Sequence, residues 1–272
     1  MSYTPMELAD AFIKTGELAD ALEALNQQLE QTPNDEVAKR LRASVLLRIG
    51  NEDQLIYAIH DLKGLQNPQA EDFIQLSVLY ERAGELEQAT QAMKSALDLS
   101  ASDVRAIERL LTLYIAQDAY DNALALVHQQ STDWRWMQWE ADLLVKMDQH
   151  EDAIQQYLSV IQLLDNQFNL EADAHLRAIK GQNLLACAHA YRRLEHYVAA
   201  QQHYSAAQII LTDDPTIGFY IGVTSALQGN LDTAVNQCRM ALDSCNDLLR
   251  DHLLNEISTH PKLLDLLNQL HQ

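Results

Sequence analysis

A chain of 272 residues, 47% of them hydrophobic, is long and apolar enough to bury a core, which excludes an intrinsically disordered segment. A formal net charge of -20 opposes contact with phosphate backbones and anionic lipid, so neither nucleic acid nor a membrane is an expected partner. Aromatics make up only 6%, Gly and Pro number 8 and 5, and Ala, Leu, Gln and Glu fill the chain; helices are expected throughout, and no stretch alternates as a strand would.

The opening MSYTPMELADAF has no basic stretch leading into an apolar one, so no signal peptide is expected. No run of about 18 apolar residues predicts a membrane span. The three cysteines, Cys187, Cys238 and Cys245, are odd in number and sit within helical patterns. A reducing compartment, the cytoplasm, fits that usage.

Along the chain, Gly16, Gly50 and Gly84 recur at a spacing of 34 residues, and Asp118 falls one period further on. Ala21, Leu55, Ala89 and Ala123 keep the same interval, which then loosens to small residues at Ala153, Ala199 and Ala234. Self-similarity at this period predicts stacked supersecondary units. The clearest unit, 70–103, reads as two helices broken at Ala83-Gly84. Phe73, Leu76, Ser77 and Tyr80 make one buried stripe, and Ala89, Met93, Ala96 and Leu97 make another. Gly84 ends the first helix because it reaches the left-handed conformation cheaply, and Ala89 is small where two helices approach closely.

This pattern resembles the tetratricopeptide repeat (TPR) of bacterial-type proteins, whose signature is W-x2-L-G-x2-Y, then A-x3-F, then P. The first unit supplies Leu8, Ala9, Phe12, Gly16, Ala21 and Pro33; the fourth, Leu110, Leu111, Tyr114, Ala123 and Val127; the seventh, Ile221, Gly222, Gly229, Ala234 and Ala241. The resemblance implies an all-α, right-handed superhelical solenoid of antiparallel helix hairpins. About seven units are expected over 1–246, at 2–35, 36–69, 70–103, 104–133, 134–167, 180–214 and 215–246. Extra residues near 168–179 should lengthen the first helix of the sixth unit backwards, and the joint from Ser131 to Trp134 is short. The tail, 247–272, should form two capping helices broken at Thr259-His260-Pro261, covering the last unit's apolar face.

The resemblance further implies that the first helix of each unit lines a concave groove. The implied groove positions carry Lys14, Arg40, Arg48, Arg82, Arg105, Arg135, Lys146 and Arg192 against Asp10, Glu71, Glu81, Glu108 and Asp142. That is a mildly cationic lining in an anionic shell, suited to a carboxylate. Cations at helix C-termini also stabilise the helix dipole, which accounts for about half of these. Some TPR cochaperones hold a terminal carboxylate with Lys, Asn, Asn, Lys and Arg. That spacing falls here on Arg40, Ser44, Gln75, Arg105 and Arg109. Both Asn are replaced and Lys has become Arg twice, so the resemblance implies an anion site and not a chaperone ligand. The competing reading pairs these arginines with Glu36, Glu71 or Glu108.

In WRWMQW, Trp136 and Trp139 are expected to fill the short joint, and Trp134 to be exposed as an interface anchor. His189, His196 and His203, spaced by seven, would be a zinc site only if His196 left its turn; His203 falls where the repeat wants a buried aromatic, so packing is the stronger reading. No phosphate loop, nucleophile elbow or metal motif is present, so no catalytic residue, cofactor or metal is expected. The expected function is a protein- or peptide-binding adaptor or scaffold. A structural subunit or homo-oligomer, joined through Trp134 or the C-terminal helices, is the alternative.

Overall fold

The computed structural model describes residues 3–130 and 132–271, and these hold sixteen α-helices and no strand. The chain divides into two compact units, Met1–Leu126 and Val127–Gln272. Each is an all-α stack of helix hairpins, as the repeat predicts.

In the first unit the helices are α1 (Pro5–Thr15), α2 (Leu18–Gln31), α3 (Glu36–Ile49), α4 (Leu55–Lys63), α5 (Ala70–Arg82), α6 (Leu86–Leu99), α7 (Val104–Ala116) and α8 (Tyr120–Val127), whose last residue opens the second unit. A 3-10 turn at Glu52–Gln54 precedes α4. α1 packs on α2, α3 on α4 and α5 on α6, and each hairpin also packs on the next. Ala9, Ala21 and Ala58 are wholly buried, because small side chains let paired helices close on one another.

The same two devices set the helix ends in both units. Aspartates cap the first helices: Asp35, Asp103, Asp133, Asp173 and Asp214 each accept backbone N–H groups of the turn they precede. This places negative charge where the helix dipole favours it and accounts for part of the net charge. Up to α14, the described hairpins each turn through one left-handed residue: Gly16, Gly50, Gly84, Asp118, Asp148, Glu195 and Gly229. The fourth, fifth and sixth hairpins are thus identified by backbone shape where no glycine marks the turn.

A buried ion pair crosses the second hairpin. Asp61 on α4 is 1% exposed and takes two hydrogen bonds of 2.7 Å from Nε and one terminal nitrogen of Arg42 on α3. The other terminal nitrogen reaches Asn26 Oδ1 on α2 at 2.8 Å.

The second unit holds α9 (Trp134–Lys146), α10 (His150–Gln167), α11 (Ala174–Arg193), α12 (Tyr197–Ile210), α13 (Pro215–Leu227), α14 (Leu231–Asp243), α15 (Asp247–Ser258) and α16 (Leu264–Leu270), with a 3-10 turn at Pro261–Leu263. The extra residues are shared between two features: 168–173 form a connection and 174–179 extend α11 backwards. Ser131, in the joint expected to be short, lies outside the described residues. On α13, Gly222 permits a close helix approach: a Cβ there would stand 2.5 Å from Cys238 Sγ and 3.0 Å from the Ala234 carbonyl oxygen on α14. Leu253, Ile257, Leu263 and Leu266 of the tail share one core with Phe219, Val223 and Cys238.

Two local expectations are corrected. Trp134 is not an exposed anchor: it packs partly buried against Val160, Leu164 and Ile179, because the lengthened α10 and α11 bring apolar surface to it. Trp136 is buried and Trp139 half-buried. In the sixth hairpin the register is one residue later than the spacing suggested. Ala200 and Tyr204 are fully buried, while Ala199 and His203 are only half-buried, since the turn at Glu195 shifts the helix start.

Candidate functional site

In the first unit, α3, α5 and α7 carry most of the candidate residues, and their side chains form a ladder from one hairpin to the next. Arg40 on α3 donates from Nε to both carboxylate oxygens of Asp72 on α5, at 2.9 and 3.0 Å, and from a terminal nitrogen to the Asn67 carbonyl at 2.9 Å. Glu36, one turn earlier, stands 3.5 Å away. These contacts, Asp72 foremost, raise the Arg40 pKa above its ordinary value. Arg82 on α5 donates to the Leu47 carbonyl of α3 at 2.9 Å. Arg109 on α7 is paired with Glu81 on α5. Three of the candidate arginines therefore tie neighbouring hairpins together, through Asp72, Glu81 and a backbone carbonyl, and Arg40 also meets Glu36 as the competing reading expected.

The remaining positions differ. The Arg105 side chain is 86% exposed, with Asp103 at 3.7 Å. Arg48 is exposed at the end of α3. Ser44 and Gln75 are half-buried. Gln75 Oε1 and Arg109 Nε are both shielded from solvent without a hydrogen-bond partner. Such orphaned polar atoms are uncommon and call for an explanation. Leu47, Ile74, Val78 and Ile115 stay half-buried on the same three helices. Arg135 belongs to the second unit, its guanidinium 5.4 Å from the centre of the Trp134 ring.

Sequence reasoning missed a polar cluster in the second unit. Arg192 on α11 reaches Glu256 on α15 at 3.3 Å and lies over the Tyr220 ring of α13 at 5.1 Å. Tyr220 donates to Glu256 at 2.6 Å. His189, on α11, meets the rings of Tyr204 and Tyr220 edge-on, with Nδ1 2.9 Å from the Tyr204 oxygen. The sequence marked Arg192 and His189 separately but not their meeting, because Glu256 lies 64 residues beyond Arg192. Among the described residues no group of three or more His, Cys, Asp or Glu side chains could hold a metal ion. His196 is exposed, and His203 packs against Tyr191.

Burial, followed by the charge of Arg192, holds the His189 imidazole down at about 4. An unfolded histidine titrates near 6.5, so acid protonates the unfolded chain first. The stability due to neutral His189 is full above about pH 6.5 and drains away as pH falls towards 4. Replacing His189 by Gln should remove about 1–3 kcal/mol of the acid sensitivity in that window, read from urea midpoints at successive pH values. Parallel wild-type and variant curves would overturn this.

No protein-family model matches the chain, and comparison with curated proteins finds no match. Solved structures do resemble it. The C-terminal part of a TPR repeat-containing protein from Cytophaga hutchinsonii superposes with a TM-score of 0.63 at 14% identity, covering 95% of this chain and 97% of that one. A tetratricopeptide repeat protein from Parabacteroides merdae gives 0.57 at 16% identity, covering 92% and 96%. MamA from Desulfovibrio magneticus gives 0.52 at 14% identity, covering 64% and 94%.

Proposed function

We propose that this chain, whose fold is that of the tetratricopeptide repeat, is a non-catalytic adaptor that binds an acidic segment or a C-terminal carboxylate of a partner protein on the α3–α5–α7 face of its first unit. The fold alone serves many functions, so the reading rests on the face itself. One observation carries it. On adjacent helices, Gln75 Oε1 and Arg109 Nε are both out of water and unpaired, and one turn before Arg109 the Arg105 side chain stands almost wholly in solvent. A carboxylate accepting from Arg105, with the Arg109 and Gln75 side chains turning outward from their shielded positions to donate to it and to accept a peptide N–H, would satisfy all three. Arg40 and Ser44 extend the same face, with Arg82 and Arg48 at its far end. Half-buried Leu47, Ile74, Val78 and Ile115 would receive apolar side chains.

The test is fluorescence anisotropy with a panel of labelled peptides that end in acidic residues. Arg105→Ala with Arg109→Ala should weaken binding at least about tenfold, the loss of one or two charge-assisted bonds. Arg109→Lys should recover only part of it, because an ammonium lacks the planar fork. Affinity should fall as salt rises. Equal affinity of wild type and double variant for every acidic peptide would remove the site, and binding carried by amidated peptides as well as by free carboxylates would remove the terminal-carboxylate preference.

A further inference from the structure

Like α13, helix α12 contains no Asp, Glu, Lys or Arg, from Tyr197 to Ile210, in a chain of net charge -20. Its outer side is nevertheless wet. Val198 is 68% and Ile209 79% exposed, and Gln202 and Ser205 between them are exposed too. Together with Gln201 and Ala206 these residues line one shallow groove of about 590 Å³. The stripe has an internal symmetry: counted from the point between His203 and Tyr204, Val198 is as far back as Ile209 is forward. Gln201 and Ala206 match in the same way, and so do Gln202 and Ser205.

We infer that this face docks a second copy of the chain, α12 against α12, antiparallel about a two-fold axis. In that register Val198 meets Ile209 of the second copy, Gln202 meets Ser205, and Gln201 meets Ala206. Each pair forms twice, as a self-complementary interface requires. Apolar ends cover apolar ends, an amide meets a hydroxyl at the centre, and Ser205 and Ala206 are small enough for the helices to approach. The internal symmetry of the stripe selects this occupant, and its lack of charge permits the contact. Two chains of the same large negative charge repel, and a neutral stripe is where they can touch without desolvating or opposing carboxylates. One helix per copy is a small interface, so the dimer forms reversibly and with concentration. Added salt strengthens it by screening the repulsion between the two bodies.

Sedimentation equilibrium across a wide concentration series tests this with the full chain. The wild type should pass from monomer to dimer, and Ile209→Asp should weaken that association about tenfold or more. The position is at the surface, so an unchanged helical circular dichroism signal will verify that the variant folds. For register, Gln202→Cys and Ser205→Cys chains are mixed and oxidised. A cross-link between the two variants, above that of either alone and absent in wild type, supports the antiparallel pairing. A monomer at every concentration, an Ile209→Asp chain that associates like wild type, or cross-links no stronger in the mixture would each overturn the proposal. None of these outcomes bears on peptide binding by the first unit, which is read separately.

Discussion

Replacing Arg42 by alanine will lower the unfolding free energy by about 3–5 kcal/mol, more than any surface substitution in the chain. The reason lies in what is left behind. Asp61 is 1% exposed and is held by two hydrogen bonds from this one guanidinium. Without it the carboxylate is buried and unpaired, or the second hairpin opens to let water in. Asn26 loses its partner as well. The pair is not intrinsically stabilising, since taking both charges out of water offsets much of their attraction. Arg42→Met combined with Asp61→Leu should therefore regain most of the loss. Urea titration followed by helical circular dichroism distinguishes the two. If Arg42→Ala fell within about 1 kcal/mol of wild type, Asp61 would have another way to be solvated and the argument would fail.

Gly222→Val is expected to be the most damaging change in the second unit, at about 3 kcal/mol or more. Overpacking is worst where the obstacle cannot swing away. The new Cβ would meet not only the Cys238 thiol at 2.5 Å but the Ala234 carbonyl oxygen and the Cys238 amide nitrogen at 3.0 and 3.1 Å. Two of those three atoms are backbone of α14, so the hairpin must spread. Spreading would uncover the core shared with Leu253 and Ile257, and the C-terminal helices would loosen with it. Hydrogen exchange of α13 to α16 should rise sharply, and Cys238 should become reactive to thiol reagents. A Gly222→Val chain with wild-type exchange rates would mean that the close approach carries no energetic weight.

Most of the architecture was legible because the 34-residue recurrence combines two independent physical demands, a left-handed turn and a small residue at a close crossing. Where both are met by glycine and alanine, as at Gly84 and Ala89, position and role follow directly. The reading weakened where other residues take the left-handed turn. Asp118 accepts from Tyr120 at 2.6 Å, Asp148 meets His150 at 3.0 Å, and Glu195 meets Lys262 at 3.0 Å. Side-chain contacts of this kind, two of them local and one to Lys262 67 residues on, leave no common letter in the sequence. For the same reason the spacing points to Ala199 and His203 where the turn at Glu195 buries Ala200 and Tyr204. The arginines of the candidate face were also legible as residues, but their partners were not. Arg40 reaches Asp72 and Arg109 reaches Glu81 only because side chains cross between hairpins, a geometry that spacing along one helix cannot express.

The cross-hairpin ladder also limits how the gene can be edited. Excising one period, 70–103, would join matching backbone ends and bring α7 to the place of α5. Ala106 would then stand where Asp72 does and Ile115 where Glu81 does. Arg40 would keep Glu36 on its own helix and lose Asp72, its closer counter-charge, so a deletion neutral in shape would be costly in electrostatics. Modules alike in outline are thereby made non-interchangeable, each keyed to the neighbour it was born beside.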